Sequence, residues 1–211
     1  HDACRKIAIL TSLISGQHVD FEKIHTEGIT KITTEDMKYA KKLNMAIKLL
    51  ASSKRVGDTF SVLVAPMLLS EEHPLCNVND VFNAVFVRGN MLGDAMFYGS
   101  GAGKLPTASA VVADVVDAAK HLHRNVVTRW DAGELELIPN AEAEHRFFVR
   151  VQGRSEAQKE QIREAFGSVE IVETEGLEDE FGFITEVMTE GTYSKKAEAF
   201  PEIIHMIRLA D

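Results

Sequence analysis

The chain has 211 residues, 45% of them hydrophobic and 26% charged, which is enough for one large domain or two small ones around a buried core. Its formal net charge of −9 excludes the basic surface that binds a nucleic-acid backbone. No apolar run reaches the roughly 20 residues that cross a bilayer, and no secretory leader is recognisable. We therefore expect a globular, cytoplasmic protein with neither a nucleic-acid nor a membrane partner.

The beginning of the chain predicts two helices. Residues 2–15 have apolar side chains at three- and four-residue spacing, a face expected to pack on a core, and Gly16 is a typical stop. That face consists of Ile7, Leu10, Leu13 and Ile14. Thr33 is a suitable N-cap for a second helix, which continues to about Asn44.

A change of period then predicts strands. Four short segments rich in Val, Phe, Leu and Ile are separated by turn residues, which is typical of an antiparallel sheet. They are residues 46–53, 60–69, 84–88 and 94–98. A glycine-rich run follows, and Pro106 then begins the longest predicted helix, which extends to about Leu122.

The last part of the chain predicts a separate small domain. Residues 125–144 have no sustained period and suit a connector, so we expect a domain boundary near Ala143. Beyond it the elements alternate as β-α-β-β-α-β, the order of a ferredoxin-like domain. They are a strand at 145–151, a helix at 156–166, strands at 169–174 and 183–188, a helix at 194–201 and a strand at 203–209. The expected fold class is α+β, with an antiparallel or mixed sheet covered by helices in residues 1–143 and the small domain in residues 144–211.

Asp2 and Lys6 are the first candidate site. Four-residue spacing places both side chains on one face of a helix, so the carboxylate and the ammonium should meet. Taken alone, this spacing is typical of an ordinary surface ion pair.

Gly99, Gly101 and Gly103 are the second candidate site. A phosphate-binding loop is excluded, because Tyr98 and Leu105 occupy positions where that motif requires Gly and Ser or Thr. Three glycines in five residues nevertheless allow close approach to the backbone, just before a helix start with free amide donors. The residues alone leave a tight structural turn and a ligand-contacting loop equally open.

The remaining polar residues predict no further chemistry. No Cys/His cluster or HExxH motif suggests a metal, and Cys4 and Cys76 lack CxxC spacing. Residues 25–28 place a carboxylate beside a glycine, for which surface or structural hydrogen bonding is the default interpretation.

Four segments, taken together in order, resemble the homoserine dehydrogenase family. They are DACRK at residues 2–6, TEGI at 26–29, FNAV at 82–85 and YGSGAGKLPTASAVVAD at 98–114. The last is similar to the family's long G-x-G-A-G-x-x-P-T-A-S-A-V-x-x-D motif almost without departure. The resemblance extends from Asp2 to about Ala119.

The resemblance implies an activity and residue roles. Family enzymes interconvert L-homoserine and L-aspartate 4-semialdehyde with NADP or NAD, in threonine, isoleucine and methionine biosynthesis. Lys6 matches the catalytic lysine, which would donate a proton to the carbonyl oxygen. Asp2 matches the aspartate that would bind the substrate's amino end and hold the lysine. Gly99, Gly101 and Gly103 resemble the loop that closes over the cofactor.

The sequence also departs from the family pattern. The dinucleotide fingerprint expected upstream of Asp2 is not in the chain, so the resemblance implies a fragment without dehydrogenase activity alone. Residues 144–211 resemble an ACT regulatory domain in element order, which implies an amino-acid effector. They lack its Asp-Pro-Gly turn, and Gly153-Arg154-Ser155-Glu156 stands there instead.

Two non-catalytic alternatives stay open. The chain could be an amino-acid-sensing regulatory module, its glycine run being only a turn. It could also be a structural dimerisation module, since the edges of a four-stranded sheet can pair between subunits. We expect the protein to be a homodimer.

Overall fold

The protein is described here by a computed structural model that covers residues 1–124, 127 and 130–210. The chain divides into two compact units. The first unit consists of residues 1–70 and 130–211, and the second of residues 71–129.

Five α-helices lie in the described residues, and none of the helices there is long and apolar enough to span a membrane. They are α1 (Asp2–Ser15), α2 (Thr34–Lys42), α3 (Lys104–Lys120), α4 (Glu156–Phe166) and α5 (Glu190–Ala197). Four short 3-10 helices cover Phe21–Lys23, Ile29–Lys31, Pro74–Asn77 and Asn140–Glu142. The strands are β1 (Gln17–His18), β2 (His25–Thr26), β3 (Met45–Val56), β4 (Thr59–Ser70), β5 (Phe82–Gly89), β6 (Gly93–Ser100), β7 (Asp131–Glu134), β8 (Glu144–His145), β9 (Phe147–Gln152), β10 (Val169–Val172), β11 (Glu180–Thr185), β12 (Met188–Thr189) and β13 (Ile203–Leu209).

A seven-stranded mixed sheet organises the first unit. Its order is β10-β11-β9-β13-β4-β2, and β3 pairs with β4 along the whole length of both strands. β2 and β13 run parallel to β4, while the other pairs in this sheet are antiparallel. The expectation of a mixed sheet with helices is therefore confirmed.

Alternation along β9 and β11 builds cores on both faces of this sheet. Phe147 and Phe183 pack with Ile162 of α4, whereas Phe148 and Tyr39 of α2 pack on the opposite face. Successive residues of a strand point to opposite faces, so these fully buried strands are almost continuously apolar.

The second unit contains a hairpin and the longest helix in the described residues. Among the described residues β5 and β6 pair only with each other, so the four strands expected to form one antiparallel sheet are divided between two sheets. β4 has β3 on one edge and β2 and β13 on the other, so β5 cannot pair with β4 itself. Within this unit Phe82 and Tyr98 stack with ring centroids 4.9 Å apart.

The buried face of α1 differs from the predicted one. The helix has the expected bounds and ends at Gly16 in a left-handed conformation. Its buried residues are Cys4, Ile7, Ala8, Thr11 and Ser12, whereas Leu10, Leu13 and Ile14 are exposed. Both sets of residues have three- and four-residue spacing. The buried set is the more polar one, because the hydroxyl groups of Thr11 and Ser12 form hydrogen bonds inside the unit.

The compact units also differ from the predicted division near Ala143. Residues 130–143 belong to the first unit, where Leu135 and Ala143 are buried and β7 pairs with β1. β13 pairs with β4, so the last segment shares one sheet with the first 70 residues. Residues 125, 126, 128 and 129 of the predicted connector lie outside the described residues.

The six elements expected after residue 144 occur in the predicted order, as β9, α4, β10, β11, α5 and β13. Two of them are shifted. The helix predicted at 194–201 is Glu190–Ala197, and the strand predicted at 183–188 is Glu180–Thr185. Thr189 caps α5 by accepting a hydrogen bond from the Thr192 amide, a start that the apolar pattern alone did not indicate.

Candidate functional site

Asp2 and Lys6 meet at the first turn of α1. Lys6 Nζ lies 2.7 Å from Asp2 Oδ2, and the two side chains are 71% and 83% exposed. The hydrogen bond from Lys6 and its positive charge lower the pKa of Asp2. An ionised carboxylate and an ammonium therefore stand together on an accessible face, as the four-residue spacing predicts.

The opposite face of α1 determines which way this pair points. Cys4 is buried and its thiol donates to the Phe21 carbonyl oxygen. Further along, Thr11 Oγ1 donates to Ser53 Oγ at 2.8 Å, which links the helix to β3. These contacts fix the rotation of α1, so Asp2 and Lys6 are held away from the core.

The three glycines occupy the passage from β6 to α3. Gly99 pairs with Asn83 near the end of β6, and a Cβ on Gly99 would have no other atom within 4 Å. A Cβ on Gly101 would overlap the side chain of Asn83, and Gly103 has a φ of 128°. The backbone conformation therefore requires glycine at Gly103. At Gly101 a larger residue would have to displace the exposed Asn83 side chain, whereas nothing in the local packing requires Gly99.

Asp2 and Lys6 belong to the first unit, and the three glycines belong to the second. A cleft formed by the ion pair and the glycine turn stays a prediction.

Two buried ion clusters were not predicted from the sequence. In the Arg208 cluster, Arg208 bonds both Glu190 and Glu27, the latter from Nη2 to Oε1 at 2.8 Å. In the Arg150 cluster, Arg150 donates to Asp36 Oδ1 at 2.8 Å and to both oxygens of Glu180. Both arginine side chains are at most 4% exposed.

A histidine joins each cluster. His205 Nδ1 lies 3.1 Å from Asp36 Oδ2, and His25 Nε2 lies 2.6 Å from Glu27 Oε1. Burial alone would raise the pKa of Asp36, but hydrogen bonds with His205 and Arg150 outweigh it and lower that pKa to about 2. The same balance, with Arg208 and His25 as partners, lowers the pKa of Glu27.

The only sequence sign of these clusters was weak. A single arginine inside a mostly apolar strand, such as Arg150 in β9 or Arg208 in β13, indicates a buried charge that must be paired. The partners lie far along the chain, so the sequence did not reveal them. Among the described residues, no group of three His, Cys, Asp or Glu side chains could hold a metal ion.

The family model described as homoserine dehydrogenase matches residues 1–116, more than half of the chain. The chain belongs to the homoserine dehydrogenase family. This match includes Asp2, Lys6 and the whole glycine run.

Individual homoserine dehydrogenases agree with this assignment. The chain is 37% identical to the enzyme of Neisseria gonorrhoeae over 164 residues, which are 74% of this chain and 38% of that protein. It is 44% identical to the Bacillus subtilis enzyme over 125 residues, or 59% of this chain and 29% of that protein.

The fold agrees with solved homoserine dehydrogenases. The crystal structure from Thiobacillus denitrificans superimposes with a TM-score of 0.86 at 30% identity, covering 100% of this chain and 53% of that one. A structure from S. aureus gives a TM-score of 0.77 at 25% identity, covering 100% of this chain and 52% of that one. The chain thus spans about half the length of these solved relatives, and less of the two enzymes above.

Proposed function

We propose that this chain is the substrate-binding and proton-transfer part of an enzyme that interconverts L-homoserine and L-aspartate 4-semialdehyde with NADP or NAD. In that role it would serve threonine, methionine and isoleucine biosynthesis. The proposal depends on one observation, the 2.7 Å contact between Lys6 Nζ and Asp2 Oδ2 on an exposed helix face. The reaction is proposed from family membership, and this contact identifies the two side chains proposed to take part in it.

Lys6 is the proposed proton donor. In the reducing direction, bound NADPH or NADH supplies hydride to the aldehyde carbon. The Lys6 ammonium donates a proton to the carbonyl oxygen as negative charge develops there, and the neutral amine takes the hydroxyl proton in the reverse direction. Asp2 orients Lys6 Nζ and accepts a hydrogen bond from the ammonium of the substrate.

The glycine run fits contact with one part of a dinucleotide. Space is open above Gly99, and the first amides of α3, which follow Gly103, have no acceptor within the helix. These groups could hold a polar edge of NADP or NAD. The sequence contains no GxGxxG fingerprint, so the main nucleotide contacts would have to come from another part of the enzyme.

Substitution of the two charged groups tests the mechanism. In the complete enzyme that contains this segment, Lys6→Met should lower kcat about 10²- to 10⁴-fold, the usual contribution of a positioned proton donor. Asp2→Asn should raise KM for the amino-acid substrate as well as lower kcat. Lys42→Met, the same change at another exposed lysine, is the matched control. Unchanged kcat in Lys6→Met would refute the proposed role.

The chain by itself is proposed to be inactive. NADPH oxidation by the purified 211-residue chain with aspartate 4-semialdehyde should stay at the background rate, because the nucleotide fingerprint is not part of the sequence. Turnover that disappears in Lys6→Met would contradict this expectation.

We also propose that residues 144–211 are an ACT-like regulatory segment that responds to an amino-acid effector. The strand order β10-β11-β9-β13 with α4 and α5 between strands supports it. Calorimetry with threonine, methionine, isoleucine and lysine tests effector binding. Light scattering tests the accompanying proposal of a homodimer, and a monomer mass at all concentrations would refute it.

A further inference from the structure

One edge of β4 is shared by two strands that do not meet. β2 pairs with Leu63 and Val64, and β13 pairs with Met67 and Leu68, both in parallel. β3 covers the other edge of β4 from end to end. A gap therefore lies between β2 and β13, opposite Ala65 and Pro66.

Pro66 explains why the ladder stops there. The carbonyl oxygens of Val64 and Leu68 accept hydrogen bonds on this edge, from the amides of Glu27 and Ala210. Hydrogen-bonding groups of a strand alternate between its two edges, so Pro66 faces the same edge. Proline has no N–H, which removes the donor that a continuous strand would need at this position.

The gap opens into a cavity of about 250 Å³. Glu27 lines it from the end of β2, Lys31 from the adjacent 3-10 helix and His205 from β13, with Pro66 and Ile207 as apolar contacts. This volume lies below the roughly 300–1,000 Å³ of pockets that hold drug-sized ligands, so the cavity suits a smaller molecule.

The charges around this cavity favour a ligand with a positive group. The Arg208 cluster and the Arg150 cluster each contain one guanidinium and two carboxylates, so carboxylates outnumber guanidinium groups in both. Glu27 brings the first cluster to the cavity wall, and His205 connects the second to it through Asp36. Lys31, an exposed lysine, is a positive group of the wall.

We propose that the gap between β2 and β13 is a binding site for a small aliphatic amino acid in its zwitterionic form. Its ammonium binds Glu27 and the carbonyl of Pro66, and its carboxylate binds Lys31. The inference rests on the effector-sensing role proposed above and gives it a location. Because this site is built by the first 70 residues together with β13, ligand binding would also stabilise the joint between the two segments.

Thermal unfolding of the 211-residue chain provides the first test. The chain is scanned with each small aliphatic L-amino acid, and one of them should raise the midpoint in a concentration-dependent way. For that amino acid, the amine lacking the carboxylate and the acid lacking the ammonium are then compared, and each should bind about 10- to 100-fold more weakly because one charged hydrogen bond is lost.

Variants locate the site. Lys31→Met should weaken binding of the same amino acid about tenfold or more in calorimetry, and Glu27→Gln should do the same while it preserves side-chain shape. Lys195→Met removes an equally exposed lysine on α5 and should leave the affinity unchanged. Lys31→Met keeps the test valid if Glu27→Gln fails to fold, because Lys31 forms no ion pair with any residue that the structure describes.

The outcomes separate this site from the proposed regulatory role. Loss of binding in Lys31→Met alone or in both site variants supports the site. Binding that survives both variants overturns this site and leaves effector sensing standing. No midpoint shift with any small amino acid overturns both proposals. Binding that is lost in Lys6→Met but retained in Lys31→Met assigns the amino acid to the Asp2–Lys6 pair and also overturns the inference.

Discussion

At the scale of single residues, buried arginines hold distant segments of the first unit together. Arg150 of β9 reaches Asp36 of α2 and Glu180 of β11, so one side chain connects residues more than 100 positions apart. A buried pair of this kind is costly to break, since the partner that remains is a charge without compensation.

Arg150→Met should therefore destabilise the first unit by about 3–5 kcal/mol. Urea unfolding followed by circular dichroism measures the change. Arg154→Met is the matched control, because Arg154 and its partner Glu173 are more than 40% exposed, and exposed pairs contribute only about 0–1 kcal/mol. If the two variants lose similar amounts of unfolding free energy, burial of the Arg150 ion pairs does not determine their contribution to stability.

The lowered pKa of Asp36 predicts how this stability depends on pH. The folded pKa of about 2 lies below the ordinary value of 3.8, so the stabilisation is fully present above about pH 4 and is lost as the pH falls toward 2. A shift of this size corresponds to roughly 2 kcal/mol.

Asp36→Asn isolates that contribution from the other carboxylates. Its free energy of unfolding should be well below that of the unmodified chain at pH 6, and the difference should shrink as the pH falls from about 4 to about 2. Denaturant titrations at several pH values measure it. A difference that stays constant over this range would mean that Asp36 titrates normally in the folded protein.

At the scale of elements, the glycine run shows why a motif can have two meanings. The sequence left a structural turn and a ligand loop equally open. Glycine is required at Gly103, which has a positive φ, and a larger residue at Gly101 would have to displace Asn83. Gly99 has open space beside it, so the local packing gives no reason for a glycine at that position.

Gly103→Ala should destabilise the second unit by about 1–3 kcal/mol, because alanine is strained at a φ of 128°. Gly99→Ala should leave stability within about 0.5 kcal/mol, as is usual for a surface change. Thermal unfolding of both variants distinguishes them. If Gly99→Ala also leaves NADPH binding by the complete enzyme unchanged, the proposed cofactor contact at Gly99 is wrong.

At the scale of the whole molecule, the large sheet joins segments that the sequence suggested were separate. β4 lies between β3 on one edge and β2 and β13 on the other. A chain cut after residue 143 would lose β9, β11 and β13 and expose the apolar residues of α2, such as Tyr39 and Ala40.

We accordingly predict that residues 1–143 do not fold into a stable unit on their own. Hydrogen exchange should show no protected amides in the β4 segment of this fragment, while the same amides are protected in the 211-residue chain. Cooperative unfolding of the fragment, with protection of β4, would support an independent domain that ends at residue 143.

Much of the local structure was predictable from the sequence. The bounds of α1 and α4, the Thr33 cap of α2 and the order of the last six elements all agree with the patterns. The proximity of Asp2 and Lys6 was predictable because four residues complete about one helical turn. β1, β2, β7, β8 and β12 have two to four residues each, too few for a period to appear.

The sequence by itself determined where helices and long strands form and to which family the chain is similar, because periodicity, caps and motifs are local properties of the chain. Only the tertiary structure decided which strands share an edge of β4, which carboxylates meet Arg150 and Arg208, and which face of α1 is buried. Those outcomes depend on contacts between residues far apart in the chain, where burial and pairing of charge are decided jointly and no single segment specifies its partner.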